Sequence, residues 1–362
     1  MRNLKRALSL ALAAIMLVGM MVVSASAASY NNLTDKDEIV NKDAVSMLVS
    51  LGIIEGKPDG SYAPTENVDR AQMAKMLSVI MNKGVDNSAL YQSVNSGLVD
   101  VNTNWAKGHI NYCYTTGIIA GRGNGKFDSA TVTALEAAKM LLVAVGYDPA
   151  IEGFEGADWA INVSVRADEQ GIFEGFTKDL SAPLNRDDAA LLIYNALDVE
   201  MIQSYTTNNY PIVYSDHRTI LSDKYGVIKV EGVVTANEWA ILDDDTDTAL
   251  QEGKTRIYNP DGILSTTGNT AVAQDSSANV KTQVFNVSTP VDMLGKAVTM
   301  YVKKTTILAD STVYGAPVVS DVNTVIETGE KVTGGDSKDD DSLAALLKGT
   351  GLATDKATEY YH

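Results

Sequence analysis

A pattern of a helix, a glycine-rich turn and a second helix occurs three times between residues 30 and 200. The three copies align on the glycines at Gly52, Gly117 and Gly171. A sequence period in the tens of residues marks supersecondary units that pack against one another. A unit of about 50 residues buries too little apolar surface to be stable alone. We therefore expect the three copies to pack together as one domain over residues 30–200.

Each copy carries local signals for the end of one helix and the start of the next. The three glycines stand where an apolar helical pattern stops, and glycine readily adopts the left-handed conformation that ends a helix. Short polar residues then precede the second helix and can cap its exposed amides. These capping boxes, or close variants of them, are Thr133 with Glu136, Asp69 with Gln72, and Asn185 with Asp188.

The second copy shows the order of its motifs most fully. It contains Val99-Asp100-Val101, Trp105-Ala106, Gly117 to Gly121, Gly125-Lys126-Phe127 and Thr133 to Glu136. This order resembles the S-layer homology family, whose repeat reads approximately F-x-D-V, W-A, G-I-I-x-G, G-x-F-x-P and T-R-A-E.

The spacing of the motifs is kept in the third copy. Trp159 lies twelve residues before Gly171, as Trp105 does before Gly117. The resemblance implies an all-α, pseudo-threefold assembly that binds secondary cell-wall polysaccharide in grooves between repeats, commonly through a pyruvylated sugar. It also implies attachment to the wall or S-layer of a Gram-positive-type bacterium, and it requires no metal or cofactor.

The resemblance and the chemistry of a pyruvyl ketal suggest which residues meet the sugar. Helix N-termini favour a carboxylate, an arginine there adds a bidentate contact, a tryptophan offers a flat apolar face, and glycine permits close approach. Asp100 belongs to the repeat motif. The candidate polysaccharide-binding residues are Arg70, Arg186, Trp105, Trp159, Asp100, Gly56, Gly121 and Gly175.

Two positions depart from the family pattern. Ala134 replaces the arginine in the second copy, and Val40 replaces the tryptophan in the first. We therefore expect incomplete grooves, with Arg70 and Arg186 marking the competent ones. Each candidate also has a plain structural interpretation: the arginines as solvated or salt-bridged residues, the tryptophans as core, and the glycines as turn formers.

The N-terminus is typical of an exported protein. Residues 1–27 combine the basic Arg2, Lys5 and Arg6 with an apolar run and end in a small-residue cleavage site, which predicts a signal peptide. No later segment reads as a membrane span. The formal net charge of -17 becomes about -20 once three basic residues leave with the signal. Such a charge disfavours nucleic acid and anionic lipid as partners.

Beyond residue 200 the helical pattern gives way to short β-branched runs, so the fold class is a multidomain α + β chain with a β-rich domain after the all-α assembly. The strands are predicted at Val227–Val234 and Ala297–Val302, with weaker ones at Thr305–Leu308 and Pro317–Val319. The expected domains are a signal peptide at 1–27, repeats at 28–84, 85–148 and 149–204, the β-rich domain at 205–330, and an acidic linker and tail at 331–362.

Other sites are weakly indicated. The aspartates Asp243, Asp244, Asp245 and Asp247 are compatible with calcium but lack the remaining ligands of a calcium loop, so an acidic turn is the preferred interpretation. Cys113 has no partner for a disulfide within the chain and is expected to be buried.

A non-catalytic structural or adhesive surface protein is the function that the sequence favours. It contains neither a G-x-S-x-G nor an H-E-x-x-H motif, and its three histidines are His109, His217 and His362. A wall-anchored glycan hydrolase in the β-rich domain is the alternative, because paired carboxylates are recognised only in the fold. A lectin-like β-rich domain is a third possibility. Other surface-layer subunits are candidate partners.

Overall fold

The computed structural model describes residues 30–242, 249–260, 281–303 and 311–320. These residues form a mixed α and β structure with two compact units. The first unit holds the described residues up to 229 together with 300–303 and 311–316, and the second holds 230–242, 249–260, 281–299 and 317–320. Several predictions fall outside the described residues: the signal peptide at 1–27, the aspartates at 243–247, the strand at 305–308, and the acidic linker and tail at 331–362.

The described part of the first unit contains six α-helices, two for each repeat. They are α1 (Lys42–Ser50), α2 (Arg70–Met81), α3 (Lys107–Thr115), α4 (Ala134–Val145), α5 (Trp159–Glu169) and α6 (Arg186–Leu197).

The predicted helix boundaries are confirmed. Gly52, Gly117 and Gly171 follow α1, α3 and α5 with φ of +69°, +78° and +70°, the left-handed region that favours glycine. At the starts of α2, α4 and α6 the predicted capping side chains accept backbone hydrogen bonds. Gln72 N–H donates to Asp69 Oδ1 (2.7 Å), Glu136 N–H to Thr133 Oγ1 (3.2 Å), and Asp188 N–H to Asn185 Oδ1 (2.8 Å).

The helices pack in pairs that join different repeats. α3 of the second repeat packs against α2 of the first, and α5 of the third packs against α4 of the second. α1 of the first repeat packs against α6 of the third, which links the first and last repeats of the series. The first helix of each repeat therefore packs against the second helix of another repeat. The three repeats depend on one another to bury their apolar surface.

A ring of three backbone hydrogen bonds lies where the second helices begin. Val68 N–H donates to Leu184 O (2.8 Å), Leu184 N–H to Val132 O (2.8 Å), and Val132 N–H to Val68 O (2.9 Å). All three residues are buried, and each immediately precedes a helix-capping residue. The ring therefore brings the starts of α2, α4 and α6 together.

The apolar faces of these helices form one continuous core. Leu48, Leu77, Ile110 and Leu142 are among its fully buried side chains. Cys113 is also completely buried, as predicted, and burial raises the pKa of its thiol. This cysteine therefore packs as a small apolar residue.

Two sheets follow the helices. β1 (Ile202–Tyr205) and β2 (Pro211–Val213) form an antiparallel pair. A five-stranded sheet has the order β5-β4-β3-β6-β7, with antiparallel registers between β3 and β4 and between β4 and β5. Its strands are β3 (Val227–Ala236), β4 (Thr255–Tyr258), β5 (Thr282–Phe285), β6 (Ala297–Lys303) and β7 (Val313–Val319). The predicted strands at 227–234, 297–302 and 317–319 are confirmed.

Asp187, near the start of α6, fastens the third repeat to the first. Its carboxylate accepts hydrogen bonds from Val40 N and Asn41 N, each at 3.2 Å, and from Asn41 Nδ2 at 3.2 Å. Asn41 is the capping position of α1 and makes no capping bond with its own side chain. The buried carboxylate therefore satisfies amides at the entrance of a helix from another repeat.

Replacing Asp187 by alanine should lower the free energy of unfolding by about 1–3 kcal/mol, because the amides of Val40 and Asn41 would lose their acceptor. Asp187→Asn, which keeps one carbonyl acceptor, should fall between wild type and Asp187→Ala. Urea unfolding of the full chain measures this order. An Asp187→Ala protein as stable as wild type would contradict the role of this contact.

Candidate functional site

Arg70 reaches from the first repeat into the glycine-rich loop of the second. It is the first residue of α2 and only 5% exposed. Its Nε donates to Phe127 O (3.2 Å) and its Nη2 to Ala120 O (2.7 Å). The guanidinium carbon lies 4.9 Å from the centre of the Phe127 ring. The arginine thus joins two repeats and is held in one orientation.

A cavity of about 560 Å³ opens beside this arginine. Residues of all three repeats border it, including Arg70 of the first, Gly121 and Lys139 of the second, and Trp159 of the third. We call this cavity the Arg70 groove. It brings together three residues that the sequence proposed as one kind of site, namely Arg70, Gly121 and Trp159.

Charged side chains of both signs border the Arg70 groove, with one more cation than carboxylate. Lys139 Nζ donates to Phe154 O (2.6 Å) and lies 5.8 Å from the centre of the Trp159 ring. Burial lowers the pKa of Lys139 and that of Arg70. The carboxylate of Glu155 opposes this shift at Lys139 and that of Glu136 opposes it at Arg70, while a neighbouring arginine lowers each pKa further. The cationic forms are therefore disfavoured by their surroundings, and an incoming anion would stabilise them.

Arg122 also borders the groove, where its Nη2 lies 2.5 Å from Glu136 Oε1. Sequence reasoning missed both Arg122 and Lys139. A signal for Lys139 was present, because it stands six residues after the capping residue Thr133, as Lys75 does after Asp69.

Arg186 makes the same kind of contact with the loop of the first repeat. Its Nε donates to Tyr62 O (2.7 Å), its Nη2 lies 3.4 Å from Glu55 O, and its guanidinium carbon is 4.8 Å from the centre of the Tyr62 ring. Lys75 Nζ lies 3.5 Å from the carboxylate of Glu55. Arg186 and Lys75 therefore flank one loop, next to the predicted residue Gly56.

Trp105 and Trp159 hold corresponding positions. Trp159 begins α5, which packs on the helix that carries Lys139. Trp105 stands just before α3, which packs on the helix that carries Lys75, and it is 61% exposed. We call the region of Arg186, Gly56, Lys75 and Trp105 the Arg186 groove.

The remaining helix start, that of α4, lacks these groups. Ala134 is its first residue, and the next amide, Leu135 N–H, donates to Leu180 O of the third repeat (3.1 Å). A β-carbon at Gly175, in the loop of that repeat, would lie 3.8 Å from Leu191 Cδ2. Leu191 stands six residues after the capping residue Asn185, where the other repeats have lysine.

Val40 belongs to the same region, because its amide is bound by Asp187 at the start of α6, the helix that carries Leu191. Its side chain is 82% exposed. We call the region of Ala134, Gly175, Leu191 and Val40 the third groove. Both departures from the family pattern, Ala134 and Val40, therefore fall in one groove, which has neither the arginine, the lysine nor the tryptophan of the other two.

Asp100 serves the loop that forms the Arg70 groove. Its carboxylate accepts hydrogen bonds from Phe127 N and Asp128 N, both at 2.8 Å. Partial burial opposes ionisation, but these amides hold the pKa of Asp100 below its usual value. Asp128 has φ of +58°, which is strained for a residue with a side chain. Asp100 thus holds a strained turn in place through contacts with the backbone.

Part of the chain matches a known family of domains in sequence. Residues 32–74 and 99–128 match the S-layer homology domain. The chain is 28% identical over 270 residues to a cell surface protein of Thermoanaerobacter kivui, covering 74% of this chain and 32% of that protein. It is 31% identical over 113 residues to an S-layer protein of Bacillus licheniformis, covering 31% of this chain and 12% of that protein.

A third relative is named as an enzyme. The chain is 30% identical over 172 residues to an amylopullulanase of Thermoanaerobacterium thermosulfurigenes, covering 43% of this chain and 9% of that protein. The chain thus spans about a third or less of the length of these three relatives. Within the described residues, every helix is too short or too polar to cross a membrane. Together the matches show S-layer homology domain sequence at residues 32–74 and 99–128 and similarity to proteins named as cell surface and S-layer proteins.

Replacing Asp100 by alanine should destabilise the domain by about 1–3 kcal/mol, because the Phe127 and Asp128 amides would lose a charged acceptor in a strained turn. Asp168→Ala removes the same charge from the exposed side of α5 and should change stability by less than about 0.5 kcal/mol. Urea unfolding measures both. Equal effects of the two substitutions would contradict the loop-holding role.

Proposed function

We propose that this chain, a cell-surface protein with S-layer homology domains, anchors itself to the wall by binding an anionic secondary polysaccharide in the Arg70 and Arg186 grooves. The observation that carries the proposal is the Arg70 groove itself. Three cations, Arg70, Arg122 and Lys139, and two carboxylates, Glu136 and Glu155, border one cavity next to Trp159. The cavity lining therefore has one positive charge in excess, in a chain whose formal net charge is -17. A local cluster of cations in so acidic a protein favours an anionic ligand.

A pyruvylated sugar suits this arrangement. Its carboxylate would be met by the remaining donors of Arg70, since Nε and Nη2 already bind loop carbonyls. Lys139 would add a second charge-assisted contact. The partly exposed ring of Trp159 would cover the apolar face of the sugar. Gly121 would contribute by shaping the loop, because a β-carbon there would lie 3.0 Å from Lys126 O.

The Arg186 groove repeats this set with Lys75 and Trp105, and we propose it as the second binding site. Two sites on one chain would bind the same polysaccharide strand or neighbouring strands. The second contact is then made at a high effective concentration, so attachment is much stronger than either site alone provides. The third groove, with Ala134, Leu191 and Val40, has no cation at the corresponding positions and is proposed to be inactive.

We also propose that residues 28–84, 85–148 and 149–204 form three repeats of one pseudo-threefold assembly. The third of these ranges lies outside the segments that match the family model. The ring through Val68, Val132 and Leu184 and the three helix pairs that join different repeats support the proposal, because both relate the repeats cyclically.

For the β-rich region we propose a structural or adhesive role and not a catalytic one. A glycan hydrolase is the alternative because the amylopullulanase relative is named for such an activity. Zymography of the purified chain separates the two. A cleared band at the mass of the chain would overturn the non-catalytic proposal and leave the anchoring proposal intact.

Wall binding should depend on both arginines. In a sedimentation assay with purified cell walls, Arg70→Gln and Arg186→Gln should each weaken binding of the full chain at least about tenfold, because each removes a charge-assisted contact. The double variant should remain in the supernatant. Glutamine can still donate to the loop carbonyls, so the loops should stay in place.

Arg218→Gln is the matched control. Arg218 is outside the grooves and also lies over an aromatic ring, 4.5 Å from the centre of Tyr214. This variant should bind walls like wild type. Walls from which the secondary polysaccharide has been chemically removed should bind none of the proteins. Full binding of a folded double variant, or undiminished binding to stripped walls, would contradict the proposal.

A further inference from the structure

A buried polar contact joins the first two repeats. His109 of α3 is 4% exposed, and its Nδ1 lies 2.6 Å from Ser78 Oγ of α2. Its Nε2 lies 3.6 Å from Asp86 Oδ2, in the turn that follows α2. A β-carbon at Gly108 would overlap Ser88 O, so glycine is required here for this turn to approach α3. The histidine is therefore enclosed between a helix and a turn of the preceding repeat.

The contact can accommodate both charge states of the imidazole. Asp86 favours a proton on Nε2, so in the neutral ring Nδ1 accepts a hydrogen bond from Ser78 Oγ. In the imidazolium, a proton taken from solvent onto Nδ1 is donated to Ser78 Oγ instead. The serine hydroxyl then donates to Lys75 O, which lies 2.9 Å away. Rotation of one hydroxyl keeps the hydrogen bonds in both states. Protonation therefore costs stability because a charge is buried at a side chain that is 4% exposed, and not because a hydrogen bond is lost.

The charged groups that act on His109 oppose one another. Asp86 attracts the imidazolium, whereas Lys75 of α2 repels it. Burial opposes the charged form most strongly, and the net result is a pKa of His109 below its ordinary value. The geometry thus permits protonation, but at a cost in stability of the folded domain.

We propose that Ser78, His109 and Asp86 form a pH-sensitive latch that holds α2 and α3 together at neutral pH and weakens as the medium becomes acidic. A histidine in the unfolded chain has a pKa of about 6.5. Because the folded protein binds this proton less readily, the contribution of the latch is complete above that value. It is lost as the pH falls from about 6.5 through the lower folded-state pKa.

The latch would also regulate the Arg186 groove, and this consequence rests on the proposed function. Trp105 lies two residues before the start of α3, and Lys75 and Ser78 lie on adjacent turns of α2. Because Lys75 is carried by α2 and Trp105 by the start of α3, a weaker contact between the two helices would let these two residues shift relative to each other. The Arg70 groove has its tryptophan on α5 and its lysine on α4, so acidification should affect it less.

The decisive experiment measures Tm of the full chain at pH 7.5 and 5.5. The Tm of the wild type should fall on acidification, and in His109→Gln this fall should be at least halved. His217→Gln is the matched control, because it removes an exposed histidine that lies 2.8 Å from Glu200, and it should behave like wild type. A pH-dependent fall of the same size in wild type and His109→Gln would overturn the proposal.

A second measurement does not require the buried residue to be replaced. Proton NMR follows the titration of His109 through the C2–H resonance of its ring. This resonance is assigned because it is missing in His109→Gln. If that variant does not fold, the resonance is assigned as the one that remains after His217 and His362 are replaced. Its midpoint should lie below about 6.5. Asp86→Asn should lower the midpoint further, and Lys75→Gln should raise it. A midpoint at or above 6.5 in wild type, or no opposite shift in the two variants, would overturn the latch. Neither readout involves polysaccharide, so a failure here is distinct from a failure of wall binding.

Discussion

The arrangement of the helical unit depends on the hydrogen-bond ring formed by Val68, Val132 and Leu184. Each of these residues gives its amide to one repeat and its carbonyl to another, so the ring closes only when all three repeats are present. Because a helix-capping residue follows each one, the ring sets the starts of α2, α4 and α6 beside one another. The first side chain of α2 or α6 then reaches the loop of a different repeat, as Arg70 and Arg186 do.

Each groove therefore combines side chains from different repeats. The arginine of the first repeat, the loop and lysine of the second, and the tryptophan of the third meet in the Arg70 groove. A substitution in one repeat therefore affects a groove formed largely by the others. Ala134 and Val40 belong to different repeats and look scattered in the sequence, yet both fall in the third groove beside Leu191. The Arg70 and Arg186 grooves each have the arginine, the lysine and the tryptophan that the third groove lacks.

The sequence was sufficient for features that depend on near neighbours. The helix starts at Asp69, Thr133 and Asn185 and the strands at 227–234 and 297–302 follow from short-range signals, and the structure has them. It was insufficient where distant segments meet. Lys139 gains its importance from Phe154 and Trp159, and the carboxylate of Asp100 is directed at amides 27 and 28 residues away. Nothing in the local pattern shows which loop an arginine will reach.

The central claim is that one chain has two anionic-glycan grooves, each built from all three repeats. Isothermal titration of the full chain with short fragments of purified wall polysaccharide, each long enough to fill a single groove, tests it most directly. The account predicts two sites per chain in the wild type, one in Arg70→Gln, one in Arg186→Gln and none in the double variant. Three sites per chain, or a site that persists in a folded double variant, would contradict it.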